Sequence, residues 1–141
     1  RPARNSRAVI HKLYQPFDEH GFHFDKPFLE REILWRGEVG GQELRLLFNK
    51  FPFVRYHCLA LIDAAQHRPQ YLSRAHLGQL MRVMEALSAL QGLAFAWNSL
   101  GAQASVNHQH WQMTLSDEAY PVESARWRHN GGPEHYPLPV S

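Results

Sequence analysis

The stretch Asn98-Ser-Leu-Gly-Ala-Gln-Ala-Ser-Val-Asn-His-Gln-His-Trp-Gln-Met-Thr-Leu115 joins a loop of small residues to a segment of alternating character. Side chains alternate between the two faces of a strand, so His108, His110 and Gln112 share one face if His108–Leu115 is extended. The other face is mostly apolar and is expected to pack on a core. The pattern predicts a last strand with one buried face and three neighbouring polar groups that must meet water, each other or a ligand.

The loop before the histidines bears on what they do. From the strand pattern alone, a structural or solvated pair stays open, and so does a metal site, because two histidines at spacing two can bind a metal. The loop favours a third interpretation, since its small and amide residues let backbone N–H groups approach an anion closely. Those residues are Asn98, Gly101, Ala102, Ala104 and Ser105. An anion cradle that leads into a His-x-His strand suits the transfer of a nucleotide to imidazole.

The rest of the chain predicts strands around one helix. Ser73–Gln91 repeats apolar residues at three and four, with Ser73 as N-cap and Gly92 as the expected stop. Its apolar stripe is Leu77, Leu80, Met81, Met84, Leu87 and Leu90. Strands are predicted at Glu32–Val39, Glu43–Phe48, Tyr56–Ile62 and Leu93–Trp97, with a Gly40-Gly41 hairpin turn. This order predicts an α+β fold, an antiparallel sheet with one main helix packed on it.

The two ends of the chain lack such periodicity. Gln15–Asp18 has the composition of a turn. From Ser116 onward the chain is rich in Pro, Gly and charge, and an extended tail over 116–141 is expected. The length of 141 residues suits a single domain over 1–141. Because the sequence starts with Arg1, it is also compatible with a piece of a longer chain.

Composition excludes several classes of protein. Lys and Arg number 15 against 13 Asp and Glu, and this balance predicts neither a nucleic-acid nor a membrane partner. Cys58 is the only cysteine, which excludes an intrachain disulfide and favours a cytoplasmic location. We find no signal peptide and no apolar run of membrane-spanning length. The ten histidines are the one compositional sign of chemistry.

The segment His108-Gln-His-Trp-Gln112 resembles the His-x-His-x-Gln variant of the histidine-triad motif. That variant marks galactose-1-phosphate uridylyltransferases, diadenosine tetraphosphate phosphorylases and GDP-hexose phosphorylases. The chain is most similar to the GDP-L-galactose and GDP-D-glucose phosphorylases, and a weaker likeness to the diadenosine tetraphosphate phosphorylases covers Phe48–Leu59. The stretches that carry the stronger likeness are Leu13–Asp18, Trp97–Ala102, Ala104–Gln112 and Tyr136–Leu138. The resemblance implies a histidine-triad-like fold.

The resemblance also implies catalytic roles. His110 would be the nucleophile that forms a covalent nucleotidyl-imidazole, and His108 would help to hold its ring. Gln112 replaces the third histidine of the hydrolase branch. An amide can donate a hydrogen bond to a phosphoryl oxygen but supplies no titratable proton. Such a site needs a leaving group that departs with little help, for example a sugar phosphate.

Five further residues are candidates for contact with the substrate, and three of them, Ser105, Asn98 and Asn49, match positions of relatives. Ser105, Asn98 and Gly101 would lie against the phosphate. Asn49, eight residues before His57, would bind the ribose, although a turn residue before Pro52 is the alternative. Lys50 would steer phosphate, or would be a solvated loop lysine. Neither His57 nor His67 is assigned a catalytic role.

The function that the resemblance implies is a nucleotidyltransferase or phosphorylase with ping-pong kinetics. It would move a nucleoside monophosphate from a nucleoside diphosphate sugar or dinucleoside polyphosphate to inorganic phosphate or a sugar phosphate. A histidine-triad hydrolase and a non-catalytic nucleotide- or metal-binding domain are the alternatives. We expect no cofactor, no metal on His108 and His110, and, by the resemblance, a homodimer. The family's plant-type members are much longer, and Gln109 is polar where they carry an apolar residue or Pro.

Overall fold

The computed structural model describes residues 14–102 and 104–137. Leu13, Gln103 and Leu138, which belong to the stretches quoted above, lie outside the described residues. These residues contain five strands, β1 Ile33–Val39, β2 Gln42–Phe48, β3 His57–Ile62, β4 Leu93–Ala96 and β5 Trp111–Leu115, and one α-helix, α1 Arg74–Ala86. The strands form one antiparallel sheet in the order β1-β2-β3-β5-β4. The α+β prediction is confirmed.

The β1–β2 hairpin has the predicted turn. Gly40 and Gly41 have φ angles of 59° and 73°, and Val39 pairs with Gln42 across them. A two-residue turn with both φ angles positive matches the right-handed twist of the flanking strands, and glycine adopts it without strain.

Helix α1 packs on one face of the sheet, but it is shorter than predicted and turns a different set of side chains towards the sheet. Ser73 caps it, since its hydroxyl accepts a hydrogen bond from the N–H of His76 at 3.2 Å. Leu77 and Met81 are 44% and 61% exposed, so the predicted stripe was wrong at these positions and also at exposed Leu90. The core on this face consists of Leu44, Ala60, Ile62, Leu80, Val83 and Trp111, with Met84 and Leu87 packed against it.

The helix ends at Ala86 and not at Gln91. Beyond that point the backbone bonds tighten, because Ser88 N donates to Glu85 O and Leu90 N to Leu87 O. Gly92 is therefore not the helix stop. It leads into β4 with a φ of 70°, and a Cβ at this position would lie 1.7 Å from the carbonyl oxygen of Ser116.

The opposite face of the sheet carries a second, smaller core. Leu47, Leu61 and Ala64 are buried there, and Phe24, Ile33 and Leu59 pack against them. The segment from Tyr14 to Lys26, which we call the N-terminal segment, contacts this face through Phe24. A 3-10 helix at Pro27–Glu32 follows it.

Two more predictions need correction. Strand β5 begins at Trp111 and not at His108, because the backbone of His108–His110 is bonded to the segment around Gln70 instead of to β3. Over residues 117–137 the chain is not simply extended: it forms two 3-10 turns, Pro121–Glu123 and Arg128–Asn130, beside the buried Trp127. Within the described ranges, no helix combines the length and apolar character needed to cross a membrane.

Candidate active site

His110 has one ring nitrogen committed to the protein. Its Nδ1 lies 2.7 Å from the carbonyl oxygen of His108, which can only accept, so Nδ1 carries the proton and donates it. Nε2 then holds the lone pair, and among the described residues no hydrogen bond involves it. The residue is 4% exposed, and burial lowers the pKa of the ring. The side chain is therefore a neutral imidazole with one defined nucleophilic nitrogen.

Both ring nitrogens of His108 are engaged by the protein. Nδ1 accepts a hydrogen bond from the N–H of Phe24 at 3.1 Å, and Nε2 donates to Ala64 O at 3.0 Å. Burial lowers its pKa from 6.5 to about 4, with smaller contributions from His23, His67 and His110. With both nitrogens in use, His108 has no free lone pair for a metal shared with His110. No group of three potential metal ligands occurs among the described residues, and the absence of a metal stays a prediction.

Aromatic rings surround the two histidines. The ring of Phe24 lies 6.0 Å from that of His108 and 5.0 Å from that of His110, centre to centre. Phe17 stacks on His67 at 4.8 Å and meets the edge of His108 at 5.2 Å. These rings exclude water around His108, which accounts for its lowered pKa.

Gln112, Asn49 and His57 form a polar cluster on the same face. Phe51 N donates to Asn49 Oδ1 at 2.9 Å, so the Asn49 amide nitrogen points at Gln112 Oε1, 3.2 Å away. His57 Nε2 lies 2.6 Å from the same oxygen, and Phe53 N donates to His57 Nδ1 at 3.4 Å. Gln112 Oε1 is thus an acceptor for two donors, and the amide nitrogen of Gln112 has no acceptor among the described residues.

The loop of small residues is organised by its own backbone. Asn98 Nδ2 donates to Ala102 O at 3.0 Å, and the N–H groups of Ala102 and Ala104 donate to Ser99 O at 3.0 and 3.2 Å. The N–H groups of Ala102 and Ala104, which were expected to be available to an anion, are therefore already bonded within the loop. Gly101 and Ser105 are exposed at the surface of the loop.

Lys50 is not part of this cluster. Its ammonium group pairs with Glu32 Oε1 at 2.9 Å, and its side chain is 57% exposed. An exposed ion pair of this kind contributes little to stability, and the arrangement agrees with the solvated-loop alternative.

Two residues around His110, Gln70 and Asn107, were not predicted from the sequence. Gln70 is fully buried, and its amide bonds to the main chain of His110 and Asn98. Asn107 donates from Nδ2 to Gln15 O and Pro16 O at 3.2 and 2.8 Å, which ties the N-terminal segment to the loop. Neither residue belongs to a periodic pattern or a spaced motif, so no sequence signal marked them.

The fold and the site together define an α+β domain in which a loop of small residues leads to His110, whose Nε2 has no hydrogen-bond partner among the described residues. A family model described as GDPGP1-like, N-terminal domain, matches residues 1–114, and the chain belongs to this family.

Curated relatives agree with this family. The GDP-D-glucose phosphorylase 1 of Macaca fascicularis is 31% identical over 132 residues, 86% of this chain and 33% of that protein. The proteins of the same name from Bos taurus and Homo sapiens are 32% and 31% identical, over 82% and 86% of this chain. The chain spans about a third of the length of these relatives. No solved structure matches it significantly.

Proposed function

We propose that the chain carries the nucleotide-accepting site of a GDP-hexose phosphorylase of the histidine-triad type, with His110 as the nucleophile. The observation that carries this proposal is the free Nε2 of His110, whose lone pair is defined by the 2.7 Å bond from Nδ1 to His108 O. The names of the relatives supply the substrate class, a GDP-linked hexose, and the reaction type, phosphorolysis.

The proposed reaction has two balanced steps. His110 Nε2 attacks the α-phosphorus of the nucleotide sugar, an N–P bond forms, and the P–O bond to the sugar phosphate breaks. Inorganic phosphate then attacks the same phosphorus, the N–P bond breaks, and a nucleoside diphosphate leaves. The imidazole returns to its starting state, and free sugar phosphate is the other product.

Gln112 fits the first step as a hydrogen-bond donor. Its Oε1 is held by His57 and Asn49, which leaves its amide nitrogen to donate to a phosphoryl oxygen. An amide donates no titratable proton, so the leaving group has to depart as an anion. A sugar phosphate does so readily, which agrees with phosphorolysis of a nucleotide sugar.

The remaining predicted contacts are part of the proposal. Asn49 Oδ1 accepts one hydrogen bond from Phe51 N and has a second lone pair for a ribose hydroxyl. Asn98 orders the loop in which the exposed Gly101 and Ser105 would meet the phosphates.

Covalent capture of the nucleotide tests this proposal. Protein incubated with α-phosphate-labelled GDP-glucose and then denatured should retain label on His110, as mapped by peptide mass spectrometry. The variant His110→Asn should retain none, because an amide keeps a polar group but has no nucleophilic lone pair on nitrogen. The variant His129→Asn is the matched control, since His129 is an exposed histidine outside the site, and its label should equal that of the wild type.

The choice of donor and acceptor separates the alternatives. Label should be released faster by inorganic phosphate than by water alone, and release by water at an equal rate would favour a hydrolase. ADP-glucose, UDP-glucose and diadenosine tetraphosphate in place of GDP-glucose test the donor. Absence of label on the wild type, or its recovery on another residue, would contradict the nucleotidyl-histidine step.

A further inference from the structure

Gln70 makes an unusual set of hydrogen bonds to the main chain. The side chain is 0% exposed. Its Oε1 accepts from His110 N at 2.9 Å, and its Nε2 donates to His110 O at 3.1 Å and to Asn98 O at 2.8 Å. Its own N–H donates to Asn107 Oδ1 at 3.0 Å. One residue thus bonds to both the N–H and the carbonyl of His110 and to both ends of the small-residue loop, residues 98–107.

The side chain of Gln70 takes the place of a peptide group beside β5. Between His108 and Trp111 the first peptide group donates from Gln109 N to Arg68 O at 2.8 Å. The next two peptide groups bond to the Gln70 amide, and regular pairing with β3 starts only at Trp111. Pro69 has no N–H to offer. A side-chain amide has the same donor and acceptor as a peptide, so Gln70 continues the pairing where the backbone does not.

This pairing bears directly on the ring of His110. The carbonyl that receives Nδ1–H of His110 is that of His108, in the first of the three bonded peptide groups. Rotation of the neighbouring peptide group, which Gln70 holds, would turn His110 away from this carbonyl. The bond from Gln70 to Asn98 O fixes the start of the loop to the same amide.

We infer that Gln70 is a positioning residue: its amide sets which ring nitrogen His110 presents and holds the phosphate-side loop in register with it. The inference rests on the proposed function where it concerns nucleotide capture. It stands apart from that function where it concerns the tautomer of His110.

Three variants test the inference. Gln70→Met has a similar length and no hydrogen-bonding groups. Gln70→Glu keeps the acceptor for His110 N and loses the donors to two carbonyl oxygens. Gln42→Met is the matched control, because Gln42 is also buried and donates from Nε2 to a main-chain carbonyl, Gln79 O at 2.8 Å, away from His110. All are compared with the wild type well below their unfolding temperatures.

The first measurement is single-turnover capture of label from GDP-glucose, alongside the dissociation constant of GDP. Gln70→Met should capture label ~10- to 100-fold more slowly, since small displacements of a reacting group cost that much, while GDP binding stays near the wild-type value. Gln42→Met should match the wild type in both. For Gln70→Glu, capture relative to the wild type should recover as the pH falls, because the protonated carboxyl regains a donor.

The second measurement is the ¹⁵N chemical shift of the His110 ring nitrogens in each protein, which reports the tautomer without any nucleotide. The wild type and Gln42→Met should carry the proton on Nδ1, and Gln70→Met should give a mixture. Should Gln70→Met not fold, Gln70→Glu provides the same comparison.

The outcomes separate the two proposals. Normal capture by a folded Gln70 variant would overturn the inference and leave the proposed function standing. If the wild type captures no nucleotide, the proposed function fails, and the tautomer decides alone: an unchanged Nδ1–H form in the Gln70 variants overturns the inference, and a mixture supports it.

Discussion

His108 and His110 are equivalent in the sequence pattern but differ in what their nitrogens do. Both nitrogens of His108 bond to the main chain, at Phe24 and Ala64, so its ring is a fixed part of the core. His110 donates from Nδ1, and its Nε2 has no partner in the part of the chain that the structure describes. The difference arises from the contacts that each ring makes, and it is the reason why His110 rather than His108 is the proposed nucleophile.

Replacement of Gln112 by histidine should change the partition between acceptors. In Gln112→His an imidazole can donate a proton to poorer leaving groups and activate water, and general acid–base catalysis of this kind typically contributes ~100- to 10,000-fold. Hydrolysis of GDP-glucose relative to phosphorolysis should therefore rise at least ~10-fold. The measurement is product formation with and without inorganic phosphate.

A second variant separates loss of the amide from gain of an acid. Gln112→Met loses the donor and gains no titratable group, so both activities should fall without a change in their ratio. An unchanged ratio in Gln112→His would contradict the role assigned to Gln112.

At the scale of elements, residues 14–22 of the N-terminal segment are held by few contacts, whereas Asp25 further along pairs with Arg45 and His67. Asn107 binds the carbonyls of Gln15 and Pro16, Phe24 N binds His108, and Phe17 stacks on His67. Most of the neighbouring side chains are exposed. The segment is therefore expected to loosen when one of these contacts is lost.

Asn107→Ala should release this segment from the loop. Two hydrogen bonds to Gln15 and Pro16 and one from Gln70 N disappear, with an expected cost of about 1–3 kcal/mol in the free energy of unfolding. Urea denaturation measures the cost, and faster chymotrypsin cleavage at Tyr14, Phe17 or Phe22 reports the release.

The control is Asn130→Ala. Asn130 also donates from its amide to two main-chain carbonyls, Val122 O at 2.7 Å and Ser124 O at 3.1 Å, away from the N-terminal segment. It should leave cleavage at those aromatic residues unchanged. Equal cleavage in both variants would show that the Asn107 contacts do not hold the segment.

At the scale of the whole molecule, histidines whose pKa values are lowered by burial make stability depend on pH. Burial lowers the pKa of His108 to about 4, and it also lowers the pKa values of His110 and His23. The unfolded chain then binds protons at a higher pH than the folded protein. The stability that the neutral rings contribute is therefore fully present above about pH 6.5, the unfolded pKa, and is lost as the pH falls towards the folded pKa values.

The free energy of unfolding should fall by roughly 2 kcal/mol between pH 7 and 5 from His108 alone. Urea denaturation at pH 7, 6 and 5 measures this fall, and His110→Asn should show a shallower one because one buried histidine is removed. A midpoint that is independent of pH over this range would show that these rings are not held neutral.

Other predictions on the whole molecule stay untested: a single domain over the full chain, a homodimer, and a cytoplasmic location. Sedimentation analysis of the purified chain over a range of concentrations tests the dimer.

Local patterns determined much of this protein. Some features depend only on residues that are neighbours in the sequence, and the structure contains them. They are the Gly40-Gly41 turn, the strands around it, the Ser73 cap and the His108–Gln112 motif. The helix predicted from hydropathy was too long, ending at Gln91 instead of Ala86. An apolar repeat does not reveal where the backbone hydrogen bonds change from the α-helical to the 3-10 pattern. The predicted last strand was also too long, starting at His108 instead of Trp111. Alternation of polar and apolar side chains does not reveal which segment the backbone pairs with.

Only the tertiary structure decided the chemistry of the site. The bond from Phe24 N to His108 joins residues 84 positions apart, Asn49 meets Gln112 across 63, and Gln70 meets His110 across 40. Spacing along the chain carries no information about such partners, because packing of separate segments brings them together. The bond from His110 Nδ1 to His108 O joins residues only two positions apart, but the burial that lowers the pKa of the His110 ring comes from the packing of separate segments. That burial could not be predicted from the motif alone.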